Sequence, residues 1–368
     1  MKIAIEAQRI FRPNKHGMDF VALETIRCLQ RLDTKNEYFI FTGEGEDRCL
    51  EESPNMHITT LRCPSYPLWE QWALPRAVAR VKPDLLHCTS NTAPVWGNTP
   101  LILTLHDIIF LEQQAARNKS LGRVYRRLVV PRILPRCRMV ITVSQFECDR
   151  IRTALNFDPG RIMAIHNGYN DRFRPMEGTA ETVRKYLRDP EYLFFLGNTD
   201  PKKNTPGTLK AYAEYVRRSE KPLPLLIADL GEQPAEAILR EIGEPRLRGM
   251  LRLAGYIPNS DLPAIYNRAS AFLYTSLRES FGIPQLEAMA CGTPVVTSAT
   301  SAIPEVAGEG AILVDPTDPK AIADALLRLE TDAAFRARQV AYGLDRVKQF
   351  SWEKTARHLL TLYESLGK

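Results

Sequence analysis

Two glutamates, Glu279 and Glu287, are separated by seven residues that begin Ser280-Phe281-Gly282-Ile283-Pro284. A Gly-Pro loop running into a helix presents backbone N–H groups at the helix start, where an anion such as a diphosphate is favoured. Gly282 permits close approach of the backbone, and Pro284 suits the first helical turn. Glu287, one turn further on, is placed to accept hydrogen bonds from ribose hydroxyls, and Glu279 to reach a sugar. The alternative is that both carboxylates only complement the helix dipole. A second segment, 197–204, reads Gly-Asn-Thr-Asp-Pro-Lys-Lys-Asn after an apolar run. Its Lys202 and Lys203 are placed over phosphates, or they form a solvated pair on a turn. A third, Leu105-His106-Asp107, offers His106 as a hydrogen-bond partner for a transferring group or its acceptor, against the plainer role of a buried structural histidine. A fourth, Lys15-His16-Gly17-Met18, is a loop ahead of the first helix that would face phosphate or sugar. No G-x-G-x-x-G occurs, which disfavours a nicotinamide or flavin site. Neither a D-x-D step nor a His/Cys/Asp cluster of metal-ligand spacing occurs, so no metal or other cofactor is expected.

These segments need strands to end beside them. Short apolar runs at 2–7, 37–42, 57–61, 84–88, 100–105, 139–143 and 161–165 read as strands. Helical patterns at 19–32, 71–81 and 144–155 lie between them. The last opens on Ser144-x-x-Glu147, a capping box. The polar run 167–190 reads as a linker. The rhythm restarts with strands at 192–196, 223–228, 250–254, 271–274, 294–297 and 311–314 and helices at 205–219, 260–268, 283–291, 319–330 and 333–348. A final helix is expected from the cap Ser351. Alternation of this kind predicts α/β architecture with two doubly wound domains, and ligands bound beyond the carboxyl ends of the strands. The expected divisions are 1–175, 176–348 and a terminal helix 349–368.

The chain has 368 residues, 44% hydrophobic and 25% charged, with a formal charge of +6. Such values exclude wholesale disorder, collagen and a small disulfide scaffold. The whole positive excess lies in residues 1–180, with 25 Lys/Arg against 19 Asp/Glu. It concentrates in 113–146, where Arg117, Lys119, Arg123, Arg126, Arg127, Arg132, Arg136 and Arg138 occur without an acid. Three readings stand: a solvated helix face, docking to anionic lipid head groups, and nucleic acid, which no accompanying motif supports. Pro131 and Pro135 are expected to interrupt a long helix there. Seven scattered cysteines with no C-x-x-C pair fit a reducing compartment. With no leader-like start and no spanning segment, the expected location is the cytosol, with peripheral contact at the inner membrane face.

Taken together and in order, the segments resemble the family-4 retaining glycosyltransferases of the GT-B fold. The likeness is dense in 192–318, through Phe195-Leu196-Gly197-Asn198, Lys202-Lys203-Asn204, Leu253-Ala254-Gly255-Tyr256-Ile257, the Glu279–Glu287 block and Ala288-Met289-Ala290-Cys291-Gly292-Thr293-Pro294. It is looser but ordered through Ile3-Ala4-Ile5-Glu6, Gly17, Thr104-Leu105-His106-Asp107 and Asn167-Gly168. The resemblance implies two Rossmann-like domains facing a deep cleft, the second binding a nucleotide-sugar and the first a saccharide or lipid-linked acceptor. It is closest to a subgroup that builds bacterial surface polysaccharides, often from GDP-mannose. By it, His106, Glu279 and Lys203 are catalytic. Gly17, Asn198, Lys202, Tyr256, Ile257, Ser280, Phe281, Gly282, Ile283 and Glu287 serve the donor, and His16 and Asp107 lie on the acceptor side. Many relatives carry Gly-Arg where this chain has Gly197-Asn198, so Lys202 is the simplest replacement for that cation. Where many carry Gly-Gly or Gly-Ile-Gly, this chain has His16-Gly17-Met18. A nucleotide-sugar epimerase and a silent nucleotide-sugar-binding subunit are the competing readings.

Overall fold

The computed structural model describes every residue except 14, 16, 113–120 and 368. His16, Arg117 and Lys119 therefore lie outside the described residues. The chain forms two compact units, Met1–Gly168 with Trp352–Lys368, and Tyr169–Ser351. The divisions expected from sequence stood at 175/176 and 348/349.

In the first unit, β1 (Lys2–Glu6), β2 (Glu37–Thr42), β3 (Met56–Thr60), β4 (Leu85–Cys88), β5 (Leu101–Thr104), β6 (Cys137–Thr142) and β7 (Ile162–Ala164) form one parallel sheet. Its order is β3-β2-β1-β4-β5-β6-β7. Strands such as β4 and β5 are buried at every position, which is why they read as mainly apolar runs rather than alternating ones. The helix Gln145–Leu155 starts as its capping box predicts, with the Ser144 side chain accepting from the Glu147 N–H. The helix Trp352–Leu366 packs on the helix Gly17–Leu32. It is tied to the sheet by the Tyr363 hydroxyl, 2.6 Å from His87 Nδ1, and by Thr355, which donates to the His166 carbonyl.

Helices form at Ala180–Arg184, inside the run read as a linker, and at Glu232–Glu241 and Ile303–Ala307, where the sequence reading had none, and two further stretches depart from it. The helix expected at 71–81 begins at Tyr66 and passes through a π turn, Trp69–Ala73, before Leu74–Val81. The extra residue in that turn breaks the 3.6-residue period on which the expectation rested. Pro131, expected to interrupt the basic segment, lies inside the helix Leu121–Ile133. It sits in the last turn, where its missing N–H costs one backbone bond, and the helix ends two residues later, before Pro135.

In the second unit, β8 (Leu193–Leu196), β9 (Leu225–Ala228), β10 (Leu251–Gly255), β11 (Ala271–Tyr274), β12 (Val295–Ser298) and β13 (Ile312–Val314) form a parallel sheet of order β10-β9-β8-β11-β12-β13. Phe194, Tyr266 and Phe272 meet edge to face or tilted at 5.1–5.5 Å on one side. Asp318 and Asp332 cap the starts of the helices Pro319–Thr331 and Ala333–Arg346. In each sheet the strand order reverses once, between β1 and β4 and between β8 and β11. Those are the places where a doubly wound sheet opens a crevice at its carboxyl edge.

Candidate functional site

At the switch point of the second sheet, β8 leads into Gly197–Asn204 and β11 into the loop ending at Gly282. Asp200 caps the short turn Pro201–Lys203. Asn204, left-handed at φ 57°, ends it and donates to the Thr275 and Pro316 carbonyls. The Leu277 N–H donates to the Lys202 carbonyl at 2.7 Å, so the two loops are joined backbone to backbone. This framework brings Lys203 Nζ to 2.7 Å from Glu279 Oε1. The ammonium also lies 5.3 Å from the Tyr274 ring centroid, a cation–π contact. Burial pushes the Glu279 carboxyl up, but the charges of Lys203 and Lys202 and the Lys203 hydrogen bond outweigh it and hold the group below the usual carboxylate range. Glu279 is thus ionised, an acceptor for hydroxyls and a partner that Lys203 can exchange for phosphate.

Gly282 has φ 98°, and a Cβ there would stand 2.8 Å from Gln285 Nε2. Glycine is required at this turn by both conformation and space. The helix Ile283–Ala290 then begins with Pro284 in its first turn, and its first N–H groups have no intrahelical acceptors. Phe281 is buried against the Phe350 ring. Glu287 lies one turn along, half-buried. Burial pushes its carboxyl up to about 7, against the opposing charge of Arg172. Lys202 pairs with Asp200 at 3.8 Å. Asn198 spends its carboxamide oxygen on the Asp200 N–H, so it shapes the turn. Tyr256 is exposed and Ile257 buried just beyond β10. The structure therefore gathers Lys202, Lys203, Glu279 and the Ser280–Ile283 turn around adjacent strand ends, and Asp229, after β9, lies in the field of Lys203. Asp229 and Arg172 belong to no motif and were not singled out from the sequence.

At the switch point of the first sheet, His106 is 5% exposed. Its backbone N–H donates to Asn91 Oδ1 at 2.6 Å, and its ring Nε2 lies 2.9 Å from the Thr89 carbonyl oxygen. A carbonyl only accepts, so Nε2 carries the proton and Nδ1 keeps its lone pair. Burial depresses the His106 basicity, consistent with a neutral ring that accepts a hydrogen bond at Nδ1. Asp107 accepts from the Ile109 N–H and caps the short turn that follows. Gly17 opens its helix with free space around it. Sequence reasoning missed Glu6, Arg9, Asp19 and Asn91. Arg9 lies 3.8 Å from the buried Asp19 carboxylate. Among the described residues, Arg9 Nε and Asn91 Nδ2 are buried donors without a hydrogen-bond partner, the sort of group that a polar ligand satisfies. A left-handed Asn91 (φ 67°) just after β4 is the one local sign of them, in the polar stretch Thr89-Ser90-Asn91-Thr92.

Among the described residues no three metal-ligating side chains cluster and no helix is long and apolar enough to cross a membrane.

Residues 180–346 match the family model for glycosyl transferases group 1, and residues 16–173 that for glycosyltransferase family 4. The chain is 31% identical over 269 residues to the O-antigen chain mannosyltransferase B of Escherichia coli, covering 72% of this chain and 70% of that one. A serotype-specific mannosyltransferase of Escherichia coli is 27% identical over 299 residues, 76% of this chain but only 36% of that longer protein. Among solved structures, the sucrose-phosphate synthase from Thermosynechococcus elongatus superposes with a TM-score of 0.77 at 22% identity, over 99% of this chain and 98% of that one. HepE from Anabaena, in complex with UDP and glucose, superposes with a TM-score of 0.73 at 17% identity, over 99% of this chain and all of that one. These likenesses establish the fold as GT-B, two Rossmann-like domains.

Proposed function

This chain belongs to the group 1 glycosyltransferases, and from that premise we propose that it moves a mannosyl residue from a nucleoside diphosphate sugar, GDP-mannose first among them. The acceptor is a saccharide, free or lipid-linked, in surface polysaccharide synthesis. The observation that carries this reading is the Lys203–Glu279 pair across the switch point of the second sheet.

In the resting site Lys203 is held by Glu279. On donor binding the diphosphate competes for the ammonium, and the freed Glu279 carboxylate accepts hydrogen bonds from sugar hydroxyls. The N–H groups at the start of Ile283–Ala290 meet the same diphosphate. Glu287, once ionised, accepts from the ribose, and Tyr256 and Ile257 border the base. The bond from the anomeric carbon to the phosphate oxygen breaks as the bond to the acceptor oxygen forms on the same face. The hydroxyl proton passes to the departing phosphate oxygen, so the anomeric configuration is retained without a carboxylate base. Preorganised lysines and a helix N-terminus stabilise the leaving charge, and we propose that no metal is needed. On the first unit, His106 Nδ1, Asp107, Asn91 and Arg9 serve the acceptor hydroxyls. The basic stretch 113–146 brings that unit to an anionic membrane surface. The mannosyltransferase relatives support the choice of sugar, and the paired glutamates and lysines support a diphosphate donor.

The test is thermal unfolding with GDP-, UDP-, ADP- and dTDP-sugars in metal-free buffer. A GDP-sugar at about 100 times its Kd adds roughly 2.7 kcal/mol, which raises the midpoint visibly. Product anomericity by NMR then checks retention. A shift with UDP-sugars alone overturns the base assignment, and a shift seen only with added divalent metal overturns the metal-independent chemistry.

A further inference from the structure

Among the described residues of the first unit, six large apolar side chains are exposed: Leu68, Trp72, Trp96, Leu121, Val124 and Leu128. All six fall in three segments, 66–73, the loop 89–100 and the helix Leu121–Ile133. In the second unit the exposed ones (Met176, Tyr256, Leu277, Leu313 and Tyr342) stand singly on separate elements, which calls for no explanation.

The three segments form one surface, because buried polar groups fasten them together from behind. Gln71 donates to the Tyr125 hydroxyl at 2.8 Å and to the Ala93 carbonyl at 3.0 Å, and accepts from the Val95 N–H at 2.8 Å. The fully buried Glu70 carboxylate accepts from Tyr66, Thr92 and Tyr125. Arg136, just past the helix, donates to the Pro94 and Gly97 carbonyls on either side of Trp96. The π turn Trp69–Ala73 sets the orientation: Trp69 and Glu70 are buried, with Trp69 Nε1 donating to the Leu61 carbonyl, while Trp72 is 54% exposed. The exposed apolar groups are therefore held outward by a fixed scaffold.

The charge around them has one sign. Arg123, Arg126, Arg127 and Arg132 lie on the same helix, and Arg76 stacks 4.1 Å over the Trp72 ring. The three segments contain one acid, Glu70, and it is buried in the scaffold. Tryptophans at a water–apolar boundary, aliphatic side chains and a rim of arginines match an anionic bilayer surface.

We propose that this face is a docking platform for anionic lipid, with Trp72 and Trp96 seated at head-group depth and the arginines on the phosphates. This rests on the reading that the first unit works at a membrane surface, and it assigns that contact to three separated segments in place of the basic stretch alone. Tyr66 joins the platform to Thr92, beside Asn91, at the carboxyl edge of the sheet. A lipid-linked acceptor held at the surface thus lies at the back of that edge.

The experiment uses the full chain and vesicles of phosphatidylcholine with or without phosphatidylglycerol. Sedimentation reads binding, and lipids brominated in the acyl chain read tryptophan depth. Trp69 and Trp352 are buried, so quenching reports on Trp72 and Trp96. We expect binding to the anionic vesicles only, falling about 100-fold in Arg123→Gln/Arg126→Gln/Arg127→Gln and about 10-fold in Trp72→Ser/Trp96→Ser, which also loses the quenching. Both variants keep transfer to a soluble acceptor, which shows that they fold. Equal binding to neutral and anionic vesicles, or none, overturns both the platform and the membrane reading. Anionic binding unchanged in both variants overturns the platform alone and places the lipid contact elsewhere. A dimer in solution that Trp72→Ser/Trp96→Ser dissociates makes a second copy the occupant and overturns it as well.

Discussion

The carboxyl edges of the two sheets solve the problem of buried polar groups in opposite ways. Beyond β8 and β11 the second unit faces an ammonium with a carboxylate, Lys203 with Glu279, and the pair stays ionised. In and just after β1, β4 and β5 the first unit collects a carboxyl and imidazoles whose charged forms burial disfavours. Burial pushes the Glu6 carboxyl up, and Glu70 nearby adds to it. Burial holds His87 down at about 3 and depresses His106 as well. An ion pair that a ligand's charge can enter is suited to a diphosphate. Buried donors left over at Arg9 Nε and Asn91 Nδ2, beside the ring of His106, are suited to hydroxyls. The second edge is built on an exchangeable ion pair, the first on unspent hydrogen-bond donors.

The sharpest way to break that division is at the ion pair. Lys203→Ala and Glu279→Gln should each lower the transfer rate by about 10²–10³, the usual cost of one preorganised donor or acceptor. Their double variant should lose less than the product of the two single losses, because the side chains are in direct contact and each sets the ionisation of the other. His106→Ala should cost less, since it removes a neutral hydrogen-bond acceptor. Initial rates with thermal midpoints as a control decide this. Equal losses at Lys203 and His106 would end the distinction.

A smaller effect concerns pH. Glu287 has a pKa raised from 4.5 to about 7 in the free protein. A raised carboxyl contributes stability that is full below its unfolded value and is lost as pH rises through about 7. The ribose needs the ionised form, so binding below that pH must expel a proton. Donor affinity should therefore weaken by up to about tenfold for each pH unit below 7 and level off above it. Calorimetry in buffers of different ionisation enthalpy reads the released proton directly. Glu287→Gln should abolish both the slope and the release. Burial depresses the basicity of His106, so its titration falls at lower pH than that of Glu287. A slope that survives in Glu287→Gln but vanishes in His106→Gln would invert the comparison.

How far the sequence reaches follows the same line. The second edge is written in contiguous segments, so Lys202-Lys203 and Glu279 to Glu287 are legible together, and Gly282 announces its own backbone. The reading also reached His106, at the end of an apolar run. It did not reach Glu6, Arg9, Asp19 and Asn91, because they come from separate segments and meet only through the β1–β4 reversal. Nor did it reach the surface built on Glu70 and Gln71. There the π turn adds a residue to the helical repeat, and the pattern predicted a plain helix from 71. A buried carboxylate whose partners are Tyr66, Thr92 and Tyr125 leaves no local mark at all.

The smallest effect separates the two adjacent lysines. The family often supplies an arginine where this chain has Asn198, and Lys202 is the nearest cation to stand in for it. Yet its side chain is 39% exposed and lies 3.8 Å from Asp200, whereas the Lys203 side chain is 19% exposed and hydrogen-bonded at 2.7 Å. Exposed pairs are worth about 0–1 kcal/mol. The structural task of Lys202 is done by its carbonyl, which receives the Leu277 N–H and persists in any substitution except where the turn itself collapses. Lys202→Ala should therefore raise the donor KM by about two- to fivefold, leave kcat nearly intact, and lose most of even that effect at high salt, where an exposed charge is screened. Lys203→Ala should show the reverse split, with kcat carrying the loss. If Lys202→Ala instead lowers kcat as far as Lys203→Ala and does so at any salt, both lysines sit on the leaving phosphate, and the charge of the missing arginine has been replaced in full.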